Sequence, residues 1–122
     1  MFVKPKTISG TVIVGEGLAE LDYGVPTANL DVRPEDMEFG VFAALVDYQG
    51  TTYHAAVCYG VKSPPKFEVH LFDFEGDLFG QTLTVKIVAK VSELVAWQSK
   101  ERMRQKILHD LELVEAVLKK QE

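Results

Sequence analysis

Thr7 to Val14 (TISGTVIV) is dense in β-branched residues and opens a series of short apolar runs, followed by Val41 to Tyr48, Thr51 to Tyr59 and Phe67 to Phe74. Runs of this kind bounded by Gly, Pro, Asn and Asp predict strands. Gln49-Gly50 separates the second and third runs, which predicts a tight antiparallel hairpin. Thr82 to Val91 alternates, with Leu83, Val85, Ile87, Ala89 and Val91 against Thr82, Thr84, Lys86 and Lys90, and so predicts a strand with one buried and one wet face. Beyond Ser99, a candidate N-cap, Met103, Ile107, Leu111, Val114 and Leu118 recur at the spacing of an amphipathic helix. The pattern predicts an all-β body with a C-terminal helix. A small barrel is favoured over a sandwich because it leaves fewer open edges. One domain over residues 1–122 is expected, with the barrel at about 7–92 and the helix at about 99–120.

Two stretches fit neither period and read as loops, Gly15 to Asp36 and Gly60 to Lys66. Long loops in a small domain tend to carry function, because they gain little packing to offset their ordering entropy. The composition is globular, with 47% hydrophobic and 25% charged residues. No apolar stretch is long enough to span a bilayer and Met1 to Lys6 leads into no signal-peptide core, so a cytoplasmic protein without a membrane partner is expected. The single cysteine, Cys58, excludes an internal disulfide and, with three histidines, a Cys/His zinc cluster of usual spacing. Net charge is −5; the C-terminal segment from Lys100 holds six positive and five negative side chains, which leaves seven against thirteen for the rest. Such a balance disfavours phosphate-backbone binding, so small-molecule substrates, no nucleic acid and a monomer are expected.

The candidate chemistry lies in and beside the loops. Gly15-Glu16-Gly17 follows a β-branched strand as a phosphate-cradling loop would, but lacks the third glycine and the Gly-Lys-Ser/Thr of the established motifs. Two glycines easing a turn is the plainer reading. In Pro26-Thr27-Ala28-Asn29, an extended backbone would aim a hydroxyl and a carboxamide the same way, two oxygen donors suited to Mg2+ once a nucleotide supplies the remaining ligands. A turn in which Asn29 bonds its own backbone is equally open. The strand period puts Glu68 and His70 on one face with Phe72 and Phe74. A half-desolvated Glu68 could accept a hydroxyl proton, while a solvated strand carboxylate is the commoner case. His70 reads as a hydrogen-bonded structural residue, Glu75-Gly76-Asp77 as a solvated turn and Cys58 as a small buried hydrophobe. Trp97, Phe67, Phe72, Phe74 and Phe79 could stack on a flat ring or simply pack.

Taken in order, Gly24-x-Pro26-Thr27-Ala28-Asn29, Gly40-Val41-Phe42-Ala43, Glu68-Val69-His70-Leu71-x-Asp73-Phe74-x-Gly76-Asp77-Leu78-x-Gly80 and Gln105-x-Ile107-x-x-Asp110 make the chain resemble the riboflavin kinase domain from about Ile8 to Leu113. The resemblance implies a small antiparallel Greek-key barrel. It also implies an enzyme that transfers the γ-phosphoryl of ATP, with Mg2+, to the ribityl 5′-hydroxyl of riboflavin, giving FMN and ADP. Glu68 would be the catalytic base and Thr27 and Asn29 the metal ligands. Gly15, Gly17, Gly24, Pro26, Thr27 and Asn29 would line the nucleotide phosphates. Bacterial members usually carry a preceding adenylyltransferase domain; with 122 residues, FAD synthesis is not expected of this chain. Between Glu16 and Glu38, seven acidic residues stand against Arg33 alone, a balance that repels a triphosphate unless metal intervenes. Lys62 and Lys66 are candidate sources of positive charge. Two further readings are a flavin- or nucleotide-binding barrel without catalysis, and a kinase for another small alcohol or with another nucleotide.

Overall fold

The computed structural model describes residues 2–13, 26–60 and 64–120, with backbone alone for 2–5. Six strands close a barrel: β1 (Phe2–Ile13), β2 (Ala28–Leu30), β3 (Gly40–Tyr48), β4 (Thr51–Tyr59), β5 (Phe67–Leu71) and β6 (Thr82–Ser92). Their order around the wall is β1-β2-β5-β4-β3-β6, and every pairing is antiparallel. β3, β4 and β5 run consecutively and β6 returns beside β3, which is a Greek key. Pairing of β1 with β6 leaves the barrel no open edge. One helix, α1 (Lys100–Lys120), follows.

Each element has a local cause. Gln49 (φ 49°) and Gly50 (φ 79°) both occupy the left-handed region, as a two-residue hairpin turn requires, and so hold Tyr48 opposite Thr51. α1 begins where Ser99 Oγ accepts the Arg102 backbone N–H at 3.1 Å, the expected cap. Inside the barrel, Phe42, Val46, Val57, Phe67, Val69, Leu83, Val85 and Ile87 form a dry core. A second cluster lies outside the wall, where Val114 and Leu118 of α1 cover Val41 and Ala43 of β3 and Ala56 of β4. β3 is therefore buried on both faces, and the small side chains of Ala43 and Ala56 let the helix come close.

Three details depart from the sequence reading. The stretch 15–36 is not all loop, because Ala28–Leu30 pairs with both β1 and β5 and completes the barrel. The fourth run stops at Leu71, since Asp73 (φ 57°) turns the chain. Phe74 therefore leaves the face of Glu68 and packs edge-on against Tyr48 and Tyr53 at the barrel core. β6 does not alternate to its end: opposite β3, Ala43 pairs with Ala89 but Ala44 with Ile87, so Val88 is a bulge. The bulge swaps faces, and Val88 and Val91 pack outside, under α1.

Candidate active site

Side chains that point out of the barrel near one end form a lateral row. Asn29 on β2 is the direct partner of Glu68 on β5, Glu68 is the partner of Cys58 on β4, and Cys58 is the partner of Val41 on β3. Direct antiparallel partners hold their Cβ atoms about 5 Å apart, so Asn29 and Glu68 present carboxamide and carboxylate to the same small volume. Asn29 is buried and Glu68 half-buried. Ala28 packs inward against the core, which leaves Thr27 and Asn29 on the outer side of an extended segment. Two neutral oxygen donors beside a carboxylate suit a hard cation that keeps phosphate oxygens and water in its shell.

His70, two residues beyond Glu68 on the same face, ties this segment down. Its Nδ1 lies 2.6 Å from the Pro26 carbonyl oxygen. A carbonyl only accepts, so Nδ1 carries the proton and donates. The residue preceding Thr27 is thereby fixed to β5 from outside the strand ladder.

On the other flank of Glu68, α1 brings down a buried polar pair. Lys106 Nζ binds Asp110 Oδ2 and donates to Ser92 Oγ at 2.7 Å, and the second oxygen of Asp110, in a side chain 7% exposed, has no hydrogen-bond partner among the described residues. Burial, then the charges of Glu68 and Asp110, push the Cys58 thiol up to about 12, which keeps it protonated and inert at neutral pH. Cys58 thus feels both the Glu68 and the Asp110 carboxylate.

The acidic stretch is largely engaged where it is described. Asp36 pairs with Lys6, whose hydrogen bond and charge hold the Asp36 carboxyl below its ordinary value. Glu38 accepts from Lys90 at 3.1 Å, and Glu93 also binds Lys90, raising that ammonium above its ordinary value. Asp31 Oδ1 accepts the Thr11 backbone N–H at 2.9 Å. Beside Asn29 opens a groove of about 370 Å³ whose walls include Ile13, Asp31, Arg33, Pro65 and Lys66. A larger depression of about 550 Å³ is lined, among the described residues, by 70–75, a single segment.

Of the sequence-derived candidates, Pro26, Thr27, Asn29 and Glu68 come together here. Gly15, Gly17, Gly24 and Lys62 lie outside the described residues. The ring-stacking set is dispersed. Phe67 is sealed in the barrel, Phe72 packs in the outer cluster and Phe74 at the core edge, whereas Phe79 (57% exposed) and Trp97 (68% exposed) face solvent. The Lys106–Asp110 pair was missed. Its trace in the sequence is a carboxylate set between Ile107 and Val114 on the apolar stripe, with a lysine one turn earlier.

Among the described residues, no helix is long and apolar enough to cross a membrane, and no cluster of three His, Cys, Asp or Glu is placed to hold a metal. The family model for riboflavin kinase (Flavokinase) matches residues 3–118. A bifunctional riboflavin kinase/FMN adenylyltransferase of Pseudomonas fluorescens is 31% identical over 121 residues, covering 93% of this chain and 39% of that protein. An RNA-binding riboflavin kinase of Bacillus subtilis is 29% identical over 113 residues, covering 88% of this chain and 49% of its own. The chain thus spans less than half the length of these relatives. The RNA binding in the second name belongs to that protein. Among solved structures, riboflavin kinase from Trypanosoma brucei shares the fold with a TM-score of 0.68 at 19% identity, covering 97% of this chain and 82% of that one. A Streptococcus pneumoniae protein described as a macrolide-efflux protein superimposes with a TM-score of 0.80 at 27% identity, over 91% of this chain and 38% of its own. With its Greek-key barrel, its outer-face Asn29–Glu68 pair and a family match running nearly end to end, the chain belongs to the riboflavin kinase family.

Proposed function

We propose that the chain transfers the γ-phosphoryl group of ATP to the ribityl 5′-hydroxyl of riboflavin, giving FMN and ADP. The observation that carries this reading is the direct pairing of Asn29 with Glu68 on the outer wall, within a chain of this family. Phosphoryl transfer needs in-line positioning, charge neutralisation and an acceptor for the hydroxyl proton. Glu68 takes that proton as the hydroxyl oxygen bonds to the γ-phosphorus and the bond from phosphorus to the β-phosphate oxygen breaks. Thr27 and Asn29 would hold a Mg2+ ion, which would supply positive charge to neutralise the phosphate oxygens. His70 fixes the Pro26 carbonyl and so the approach of Thr27. Glycines 15, 17 and 24 belong to the proposed phosphate loop.

Apolar side chains near α1 cover the isoalloxazine ring in this reading. Nucleic acid is not proposed as a partner, because the net charge is −5.

The test is chromatographic detection of FMN after incubation with riboflavin, ATP and Mg2+, alongside Glu68→Gln and metal-free controls. FMN in excess over enzyme, lost in both controls while Glu68→Gln keeps its thermal midpoint, is the expected result. A Glu68→Gln protein with full turnover would remove Glu68 as the base, and no FMN from folded wild-type protein would favour a binding barrel without catalysis.

A further inference from the structure

Thr27 and Asn29 are neutral, so other groups must offset the charge of a phosphate brought to Glu68. The cations of the barrel wall differ in their commitments. Lys6 is held by Asp36, Lys90 by Glu38 and Glu93, and Lys106 by Asp110. Arg33 and Lys66 have no ion pair or side-chain hydrogen bond among the described residues, yet they line one groove with Asn29. Arg33 arrives from the segment after β2, and Lys66 from the residue before β5. The groove, at about 370 Å³, falls within the size range of small-molecule sites.

Two like charges on residues that line one concavity repel each other, and an anion placed between them relieves that repulsion. Guanidinium and ammonium groups are also the side chains best matched to phosphate oxygens. Among the described residues, the opposing charge in the groove is Asp31, whose Oδ1 is already occupied by the Thr11 backbone N–H. Asn29 forms one wall and is at the same time the strand partner of Glu68. A phosphate seated here lies beside the carboxylate proposed as the base.

We infer that this groove is the phosphate subsite of the chain, with Arg33 and Lys66 as its cations. Its ligand is a phosphate ester, either the nucleotide polyphosphate or the phosphate of the flavin product. The identity of that ligand rests on the kinase reading, whereas the affinity of the groove for phosphate does not.

The experiment titrates wild type, Arg33→Gln, Lys66→Gln and the double variant with ADP, with FMN and with riboflavin, by calorimetry or flavin fluorescence. Each neutralised charge is expected to weaken the phosphorylated ligand about tenfold, equivalent to about 1.4 kcal/mol, and to leave riboflavin, which has no phosphate, unchanged. Whichever of ADP and FMN weakens more identifies the source of the phosphate. Unaltered affinity of the double variant for both, an equal loss for riboflavin, or no affinity of wild type for either phosphorylated ligand would overturn the subsite. FMN formation by a double variant of unaltered ADP and FMN affinity would discard the subsite and keep the kinase reading. Wild-type protein that makes no FMN but binds phosphate esters through these two side chains would do the reverse.

Discussion

Replacing Lys106 by Met tests the buried pair that α1 lays against the barrel. Asp110 is 7% exposed at its side chain and, among the described residues, one of its oxygens has no partner while the Lys106 ammonium satisfies the other. Removing one member of a fully buried pair costs about 3–5 kcal/mol, because the remaining charge is left without compensation. Here the ammonium is 21% exposed, and water can reach part of the vacated space. A loss of about 2–3 kcal/mol is therefore expected, which for a domain of this size lowers the thermal midpoint by about 8–12 °C. Replacing both partners, Lys106→Met with Asp110→Leu, removes the orphaned charge and should recover most of the loss. The assay is urea and thermal denaturation of the wild type, both single variants and the double. A Lys106→Met loss below about 0.5 kcal/mol, the size of an exposed pair, would refute the claim that Asp110 is effectively buried. A double variant as unstable as Lys106→Met would show that packing by the lysine stem matters more than charge.

The other predictions concern neighbouring groups. Cys58 is raised to about 12, so its folded form keeps a proton that the unfolded thiol gives up near its ordinary value of 9.0. Its contribution is intact below about pH 9 and is lost as pH rises toward about 12, so Cys58→Ala should flatten the fall in stability across that window in pH-dependent denaturation. Native protein at about pH 8 should also alkylate at Cys58 far more slowly than unfolded protein. His70→Ala removes the donor to the Pro26 carbonyl; KM for MgATP should rise about fivefold or more while KM for riboflavin stays within about twofold, and His70→Gln should recover part of the loss. Steady-state kinetics with each substrate varied in turn checks this.

The strand series, the Gln49-Gly50 hairpin and the Ser99 cap were legible because each depends on nearest neighbours. Side-chain alternation, two left-handed residues in a turn and a hydroxyl before a helix act over a few residues. The motif around Pro26 to Asn29 and the Glu68 segment could likewise be read locally, as residue types in a chemically suggestive spacing. β2 could not. Three residues carry too short a period to detect, and Ala28–Leu30 is a strand only because β1 and β5 supply hydrogen-bonding partners on both sides. The bulge at Val88 was equally hidden, since it arises from the different advance of β3 and β6 around a closed wall.

The sequence by itself determined which segments are extended, where the helix begins and which side chains carry reactive oxygen. Tertiary structure decided what those groups face. Barrel closure put Asn29 next to Glu68, although 38 positions separate them in the chain, and brought Arg33 and Lys66 to one groove. It also gave most of the acidic side chains described near Arg33 their own partners, which composition alone had read as a repelling surface. The physical reason is range: propensity and capping act within a turn or two of chain, whereas electrostatic and hydrogen-bonding partnerships depend on distances that only the packed barrel sets.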